Sequence, residues 1–359
     1  MLKKFFNKKT VIITGHRGFK GSWLSLWLSI LGAKVVGLSI DTPSSPSLFN
    51  ALNLKKRIID IKVDIRNLKK INKIFNKFKP DYVFHLAAQP LVKKSYNKPL
   101  YTFTTNFLGT LNVLHILKDL KKQCTAIIIT SDKSYRNFEL SRGYRENDIL
   151  GGDDPYSASK AAAEMMIRSY VNCFFKNKKN KKKVLIGIAR AGNVIGGGDW
   201  SADRLVPDCV KFWSKKKKVI IRNPRSTRPW QFVLEVIWGY ILFAIKLRKN
   251  SKLHGEVFNF GPGPGVNKNV LEVVKEMKKH WEDVDWKVSI KKEKIESALL
   301  KLNSSKAKSI LKWNTLFNFK ETIKAVVNWY KNFYISKKNI LDFSIKQILD
   351  YQKKINLRV

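Results

Sequence analysis

Thr10-Val11-Ile12-Ile13-Thr14-Gly15-His16-Arg17-Gly18-Phe19-Lys20-Gly21 is a short apolar run that turns through three glycines into an apolar helix pattern. The run reads as a buried strand, and the glycines let the backbone reverse tightly before a helix over residues 19–31. Such a turn points free amides and the positive end of a helix dipole at one spot, which suits a pyrophosphate. Moving outward, strand patterns recur at 34–40, 58–62, 82–86, 126–130 and 184–189. Helical patterns at 67–78, 99–119 and 155–175 separate them. Continuous apolar strands alternating with helices predict a parallel sheet covered on both faces.

From Gly192 onward the texture changes. Glycines and prolines cluster at Gly196-Gly197-Gly198, Pro207, Pro224, Pro229 and residues 261–265. The predicted class is therefore α/β: a Rossmann-type doubly wound parallel sheet with a smaller α+β C-terminal lobe. Residues 1–190 form the dinucleotide-binding part, and 231–260, with a helix over 233–247, return to it. Residues 191–230 and 261–359 form the substrate lobe, whose tail from 336 reads as a packed surface helix.

Composition narrows the function classes. The chain has 359 residues, 44% of them hydrophobic, enough for a sizeable core. Seventy Lys and Arg against 27 Asp and Glu give a net charge of +43. The excess is mostly Lys, spread along the chain, and the dense runs at 176–183 and 215–218 lack interleaved aromatics for base stacking. A solvated basic surface is expected, not a specific nucleic-acid site. The three cysteines, Cys124, Cys173 and Cys209, have no disulfide or zinc spacing, which fits a reducing cytoplasm. No histidine pairing suggests a metal site. The most apolar helical stretch, 236–245, is too short to span a membrane.

Residues with chemistry gather at predicted strand ends. Gly15, Gly18 and Gly21 carry the phosphate turn. Asp41 closes the second strand, where a carboxylate can accept both ribose hydroxyls of an adenosine and repel a 2′-phosphate, favouring NAD over NADP. Asp64 and Ile65 follow the third strand near the adenine, and Ala87-Ala88-Gln89 closes the fourth with small residues. Tyr156 and Lys160 lie one helical turn apart, so the amine can lower the phenol's pKa and make it a base. Tyr334-x-x-x-Lys338 has the same spacing but no strand or glycine turn before it. Ser131 ends the strand that precedes the Tyr156 helix and can share a substrate hydroxyl proton with Tyr156, while Asp132 and Lys133 add an ionisable pair. That pair suggests a second reaction after oxidation, an elimination.

Thr14-Gly15-His16-x-Gly18-Phe19-Lys20-Gly21-Ser22-Trp23-Leu24, His85-x-Ala87-Ala88-Gln89-Pro90 and Thr130-Ser131-Asp132-Lys133 together resemble the CDP-glucose 4,6-dehydratases, extended short-chain dehydrogenase/reductases. So do residues 143–148, Arg190-Ala191-Gly192-Asn193 through Asp199-Trp200, and Arg228-Pro229-Trp230-Gln231. The resemblance covers most of the chain, from Lys9 to Tyr330. It implies that NAD takes hydride from C4 of the glucosyl unit as Tyr156 takes the 4-hydroxyl proton. Water then leaves across C5–C6 with Asp132 as the acid, and the hydride returns to C6. Relatives acting on dTDP-glucose carry Glu where Lys133 stands, so Lys133 is either the C5 base or an electrostatic partner of the enolate. The resemblance also implies that Arg17, Phe19 and Asn106 belong with the cofactor set. It assigns Asn193, Arg204 and Arg228 to the substrate, CDP-glucose, and implies a homodimer or dimer of dimers through the helices 99–119 and 155–175. Phe232, and Ala298-Leu299 before Lys301, depart from the family and bear on substrate preference. A nucleotide-sugar 4-epimerase is the alternative within enzymes; a non-catalytic polyanion binder is the alternative outside them.

Overall fold

Side chains of the first strand divide between two cores. Val11 and Ile13 enter one and Ile12 the other, as a period of two requires. The same split recurs in the fifth strand, where Ile127 and Ile129 face one side and Ala126 and Ile128 the other. The computed structural model describes residues 2–176, 184–263, 266–289, 300–337 and 339–357. The strands are β1 (Thr10–Thr14), β2 (Lys34–Ser39), β3 (Ile59–Lys62), β4 (Tyr82–His85), β5 (Cys124–Ile129) and β6 (Val184–Ala191). With the strand Val257–Phe260 they form one parallel sheet. Its order is Val257–Phe260, β6, β5, β4, β1, β2, β3. Successive strands are therefore added in one direction from β1 and in the other from β4, and loops from these two parallel strands leave the same edge. A crevice opens at such a switch point.

Two glycines fix that edge. Gly15 takes φ +77°, and a Cβ there would stand 2.8 Å from the Ala87 nitrogen at the end of β4. A Cβ on Gly21 would meet the Gly15 carbonyl oxygen at 2.2 Å. At these two positions the turn packs against the segment just after β4 and against itself, leaving no room for a side chain.

Helices follow the sequence pattern with two differences. The helix Leu68–Phe78 starts on the Asn67 side chain, which accepts from Lys70 N–H at 3.0 Å. The helix Pro155–Tyr170 starts on Asp154, whose carboxylate accepts from Tyr156 and Ser157 N–H. It continues into a wide π turn, Val171–Phe175. The predicted helix over 99–119 is three pieces, Pro99–Phe103, a π turn at Thr104–Leu108, and Gly109–Asp119. Hydrophobic periodicity cannot separate a π turn from an α turn over so few residues, and the π turn places Asn106 inward.

The helix Val233–Lys249 lies on β5, β6 and the helix Phe19–Ile30. Gly187 of β6 admits the Phe243 ring, which a Cβ would touch at 2.4 Å. Short strand pairs build the remaining part: Val219–Ile221 with Trp286–Val288, Thr227–Pro229 with Asn267–Asn269, and Val194–Ile195 with Gln231–Phe232. The helix Ile340–Asn356 packs on Phe319–Tyr334 and on Phe19–Ile30. Its Tyr351 hydroxyl donates to buried Glu235 at 2.7 Å, whose other oxygen accepts from Leu316 and Phe317 N–H. Residues 177–183, 298–299 and Lys338 lie outside the described residues.

Candidate active site

A cavity of about 730 Å³ opens where β5 and β6 end and the phosphate turn begins. Of the three turn glycines, only Gly18 has room above it: a Cβ there would meet the Gly15 carbonyl oxygen at 3.2 Å and nothing else nearby. The loop thus forms a cradle over the N-terminus of the helix Phe19–Ile30, the fit expected for a dinucleotide pyrophosphate.

Beside the cradle, Arg17 forks onto Asp60 at 3.0 and 2.9 Å, and the His16 ring meets the same carboxylate at 2.8 Å. Burial works against the Asp60 charge, yet Arg17 and His16 outweigh it and hold that carboxyl below the ordinary range. Asp41 stands at the crevice edge, mostly exposed, with Lys62 at 2.9 Å and Arg17 at 3.8 Å. Asp64 is gripped by Arg66 at 2.6 Å. Ile65 is buried, with its side chain filling the space over Gly109. Asn106 accepts from Gln89 N–H at 2.8 Å and donates to Ser159 at 2.9 Å, so it ties the end of β4 to the Tyr156 helix. Ala87 and Ala88 are half-buried at the same edge, and Gln89 binds both sides of Leu91 and Thr102.

After β5 the chain makes one 3₁₀ turn, Asp132–Ser134, capped by Ser131, whose Oγ accepts from Lys133 N–H at 3.2 Å. Asp132 accepts from Ser131 at 3.0 Å and from Lys133 N–H at 2.9 Å. Gly192, just past β6, makes space for this carboxylate; a Cβ would be 2.8 Å from Oδ2. Tyr156, only 7% exposed, hydrogen-bonds Ser131 from the first turn of its helix. Ser131, Asp132, Lys133, Tyr156, Phe19, Asn193, Arg204 and Arg228 all line the one cavity. Tyr334, by contrast, accepts from Trp200 outside it.

Water exclusion sets the electrostatics. Burial pushes the Tyr156 phenol up to about 12, against the Ser131 hydrogen bond and the charge of Arg204. Burial also raises Asp132, against Lys133, Ser131 and Lys20, so its carboxyl retains a proton more readily than usual. Lys160 falls to about 8 through burial and the charge of Lys20. The expectation that Lys160 lowers the phenol is thus modified: the cation opposing Tyr156's burial is Arg204, and Lys160 is itself held down by desolvation.

Sequence reasoning overlooked three groups. Lys20, on the first turn of Phe19–Ile30, lines the cavity among Arg204, Asp132 and Asp199, and burial takes it down to about 8. Asp199 binds Arg204 at 2.8 Å, fixing the guanidinium that faces Tyr156. Gly192 has no signal but its position after a strand.

The family model described as GDP-mannose 4,6-dehydratase matches residues 12–326. A CDP-glucose 4,6-dehydratase of Salmonella typhimurium is 43% identical over 352 residues, covering 97% of this chain and 98% of the relative. Among solved structures, an epimerase of Methanothermobacter thermautotrophicus aligns with TM-score 0.80 at 22% identity, covering 94% of this chain and 96% of the other. A dTDP-glucose 4,6-dehydratase of Bacillus anthracis in complex with NAD aligns with TM-score 0.71 at 19% identity, covering 90% and 97%. These two likenesses show the shared fold.

Proposed function

The chain belongs to the GDP-mannose 4,6-dehydratase family, and from that membership we propose that it is an NAD-dependent CDP-glucose 4,6-dehydratase. It is a hydro-lyase that makes CDP-4-keto-6-deoxyglucose. The observation carrying this is the meeting of Ser131, Asp132 and Lys133 with Tyr156 in one cavity. NAD, held by the Gly15–Gly21 turn with Asp41 toward its adenosine ribose, supplies the store for a hydride between C4 and C6. Asp64 and Ile65 lie toward the adenine, and Arg17, Phe19, Ala87, Ala88, Gln89 and Asn106 shape the crevice.

Tyr156 takes the 4-hydroxyl proton, with Ser131 sharing the hydrogen bond. The ketone so formed acidifies C5–H. Asp132 gives its proton to the departing C6 hydroxyl, a role suited by its raised pKa. Lys133, half-buried at the same wall, either takes the C5 proton or stabilises the enolate. Arg204 and Arg228 bind the diphosphate, and Asn193, which lines the same cavity, binds the substrate with them. Residues 191–230 and 261–359 serve as the substrate lobe. A 4-epimerase would need Tyr156 and NAD but no acid at Asp132.

Incubation with CDP-glucose deuterated at C4 decides. Label at C6 of a 4-keto product is the dehydratase outcome; label retained at C4 of an epimer, or no product, overturns it.

Among the described residues no helix is long and apolar enough to cross a membrane. Free Cys124, Cys173 and Cys209 support a reducing compartment, and we place the enzyme in the cytoplasm. We also propose a homodimer, capable of pairing further. Leu100, Phe103 and Leu108 on one helical path, and Met165 on the helix packed beside it, expose apolar side chains.

A further inference from the structure

Arg204 and Asp208 stand one helical turn apart, Asp208 N–H donating to Arg204 C=O at 3.0 Å. They face different surroundings. Arg204 meets Asp199 and Tyr156, whereas Asp208 meets Arg222, Asp203, Lys211 and Lys93. The cavity that Tyr156 and Arg204 line also takes in Asp203, Asp208 and Arg222, a second polar corner about 6 Å further along the helix. A nucleotide sugar with its hexose at Tyr156 and its diphosphate at Arg204 would carry its ribose and base onward toward that corner. The apolar lining available to a flat ring comes from Val206 and Pro207 of the helix Leu205–Trp213 and from Val219 and Ile221 of the strand packed on it, all buried and all lining the cavity.

The polar edge is Asp208. About two-thirds covered, its carboxylate accepts no hydrogen bond among the described residues, and Arg222 stands 3.7 Å away, too far for one. Arg222 is itself held by Asp203 at 3.2 Å. Burial raises the Asp208 carboxyl, against Arg222. A partly covered carboxylate with no hydrogen-bond donor from the described residues is left to water on the cavity wall, and a ligand that brings a donor can take that water's place.

We propose, resting on the CDP-glucose reading above, that Asp208 selects the base: its carboxylate accepts the 4-amino group of cytosine. Uracil and thymine present a carbonyl oxygen at that position, which a carboxylate repels. Arg222, steadied by Asp203, keeps Asp208 ionised and in place.

CDP and UDP titrated calorimetrically into the NAD-loaded chain test this. The wild-type chain is expected to favour CDP by about tenfold or more, the scale of one correct base contact. Asp208→Asn narrows that ratio by about tenfold, since an amide can turn its N–H toward a uracil carbonyl. A ratio reads only the folded fraction, so partial misfolding leaves it unchanged. If Asp208→Asn cannot be isolated, Arg222→Gln is expected to narrow the same ratio. An unchanged ratio, or a wild-type chain indifferent between CDP and UDP, overturns the assignment. CDP preference without turnover of CDP-glucose removes the dehydratase reading and leaves base selection standing; turnover with an unaltered ratio removes base selection alone.

Discussion

Tyr156 must lose a proton that its surroundings help it keep. Burial holds the phenol at about 12, and oxidation needs the phenolate, so activity should climb with pH over the alkaline range. Arg204 favours the phenolate; removing its charge moves that climb to higher pH. Arg204→Met is therefore expected to displace the alkaline limb of kcat upward at saturating substrate, and an unmoved limb would show that the guanidinium does not act on the phenol. Tyr156→Phe should cost oxidation on the order of 10²–10⁴-fold. Asp132→Asn should spare oxidation and slow elimination, so absorbance at 340 nm accumulates during turnover. Equal loss of both steps would take the acid role from Asp132. Lys133→Glu should retain the fold while changing elimination rate or sugar-nucleotide preference, and an identical kinetic profile would leave Lys133 without a role.

At the scale of elements, the reacting side chains depend on how one helix is fastened. Glu164, on the helix that carries Tyr156 and Lys160, accepts from Thr130 past β5 at 2.6 Å and from Arg190 of β6 at 2.7 Å. Both Glu164 and Arg190 are fully buried, and Arg190 stacks on Tyr135 at 4.5 Å. Glu164→Ala leaves a buried guanidinium without its carboxylate, a loss of about 3–5 kcal/mol of stability readable by chemical denaturation. A change under 1 kcal/mol, on the scale of exposed pairs, would mean the pair is solvated. The strands and their order of chemistry were legible because apolar runs and glycine turns are local signals. Gly15-x-x-Gly18-x-x-Gly21 and the Ser131-Asp132-Lys133 corner needed only a strand before them. Asp60 was not legible: in β3 it reads as a polar alternate, and only folding places Arg17 and His16 on it. Lys20 and Asp208 escaped for the same reason, since their meaning comes from chain segments brought beside them. The π turn at Thr104–Leu108 was hidden because its residues share the helical pattern on either side.

For the whole molecule, a net charge of +43 acts on two encounters in opposite directions. It draws in a doubly charged nucleotide diphosphate, so kcat/KM should fall as salt is raised. It also repels a second copy of the chain. The surface proposed for that second copy is apolar, with Leu100 76% and Met165 58% exposed on neighbouring helices. Burying such side chains is worth roughly 1.5–3 kcal/mol each and is not weakened by salt, while the repulsion is screened over about 8–10 Å. Dimerisation should therefore tighten with salt over the range in which substrate capture weakens. Sedimentation equilibrium in about 0.05 M and about 0.5 M salt reads this directly. Leu100→Arg combined with Met165→Arg places two charges on each copy of the patch and should give monomers at both salts with the far-ultraviolet spectrum unchanged. A wild-type chain monomeric at every salt concentration would exclude the dimer. A dimer untouched by the double substitution would place the contact elsewhere, on a face whose charges must then be matched across it.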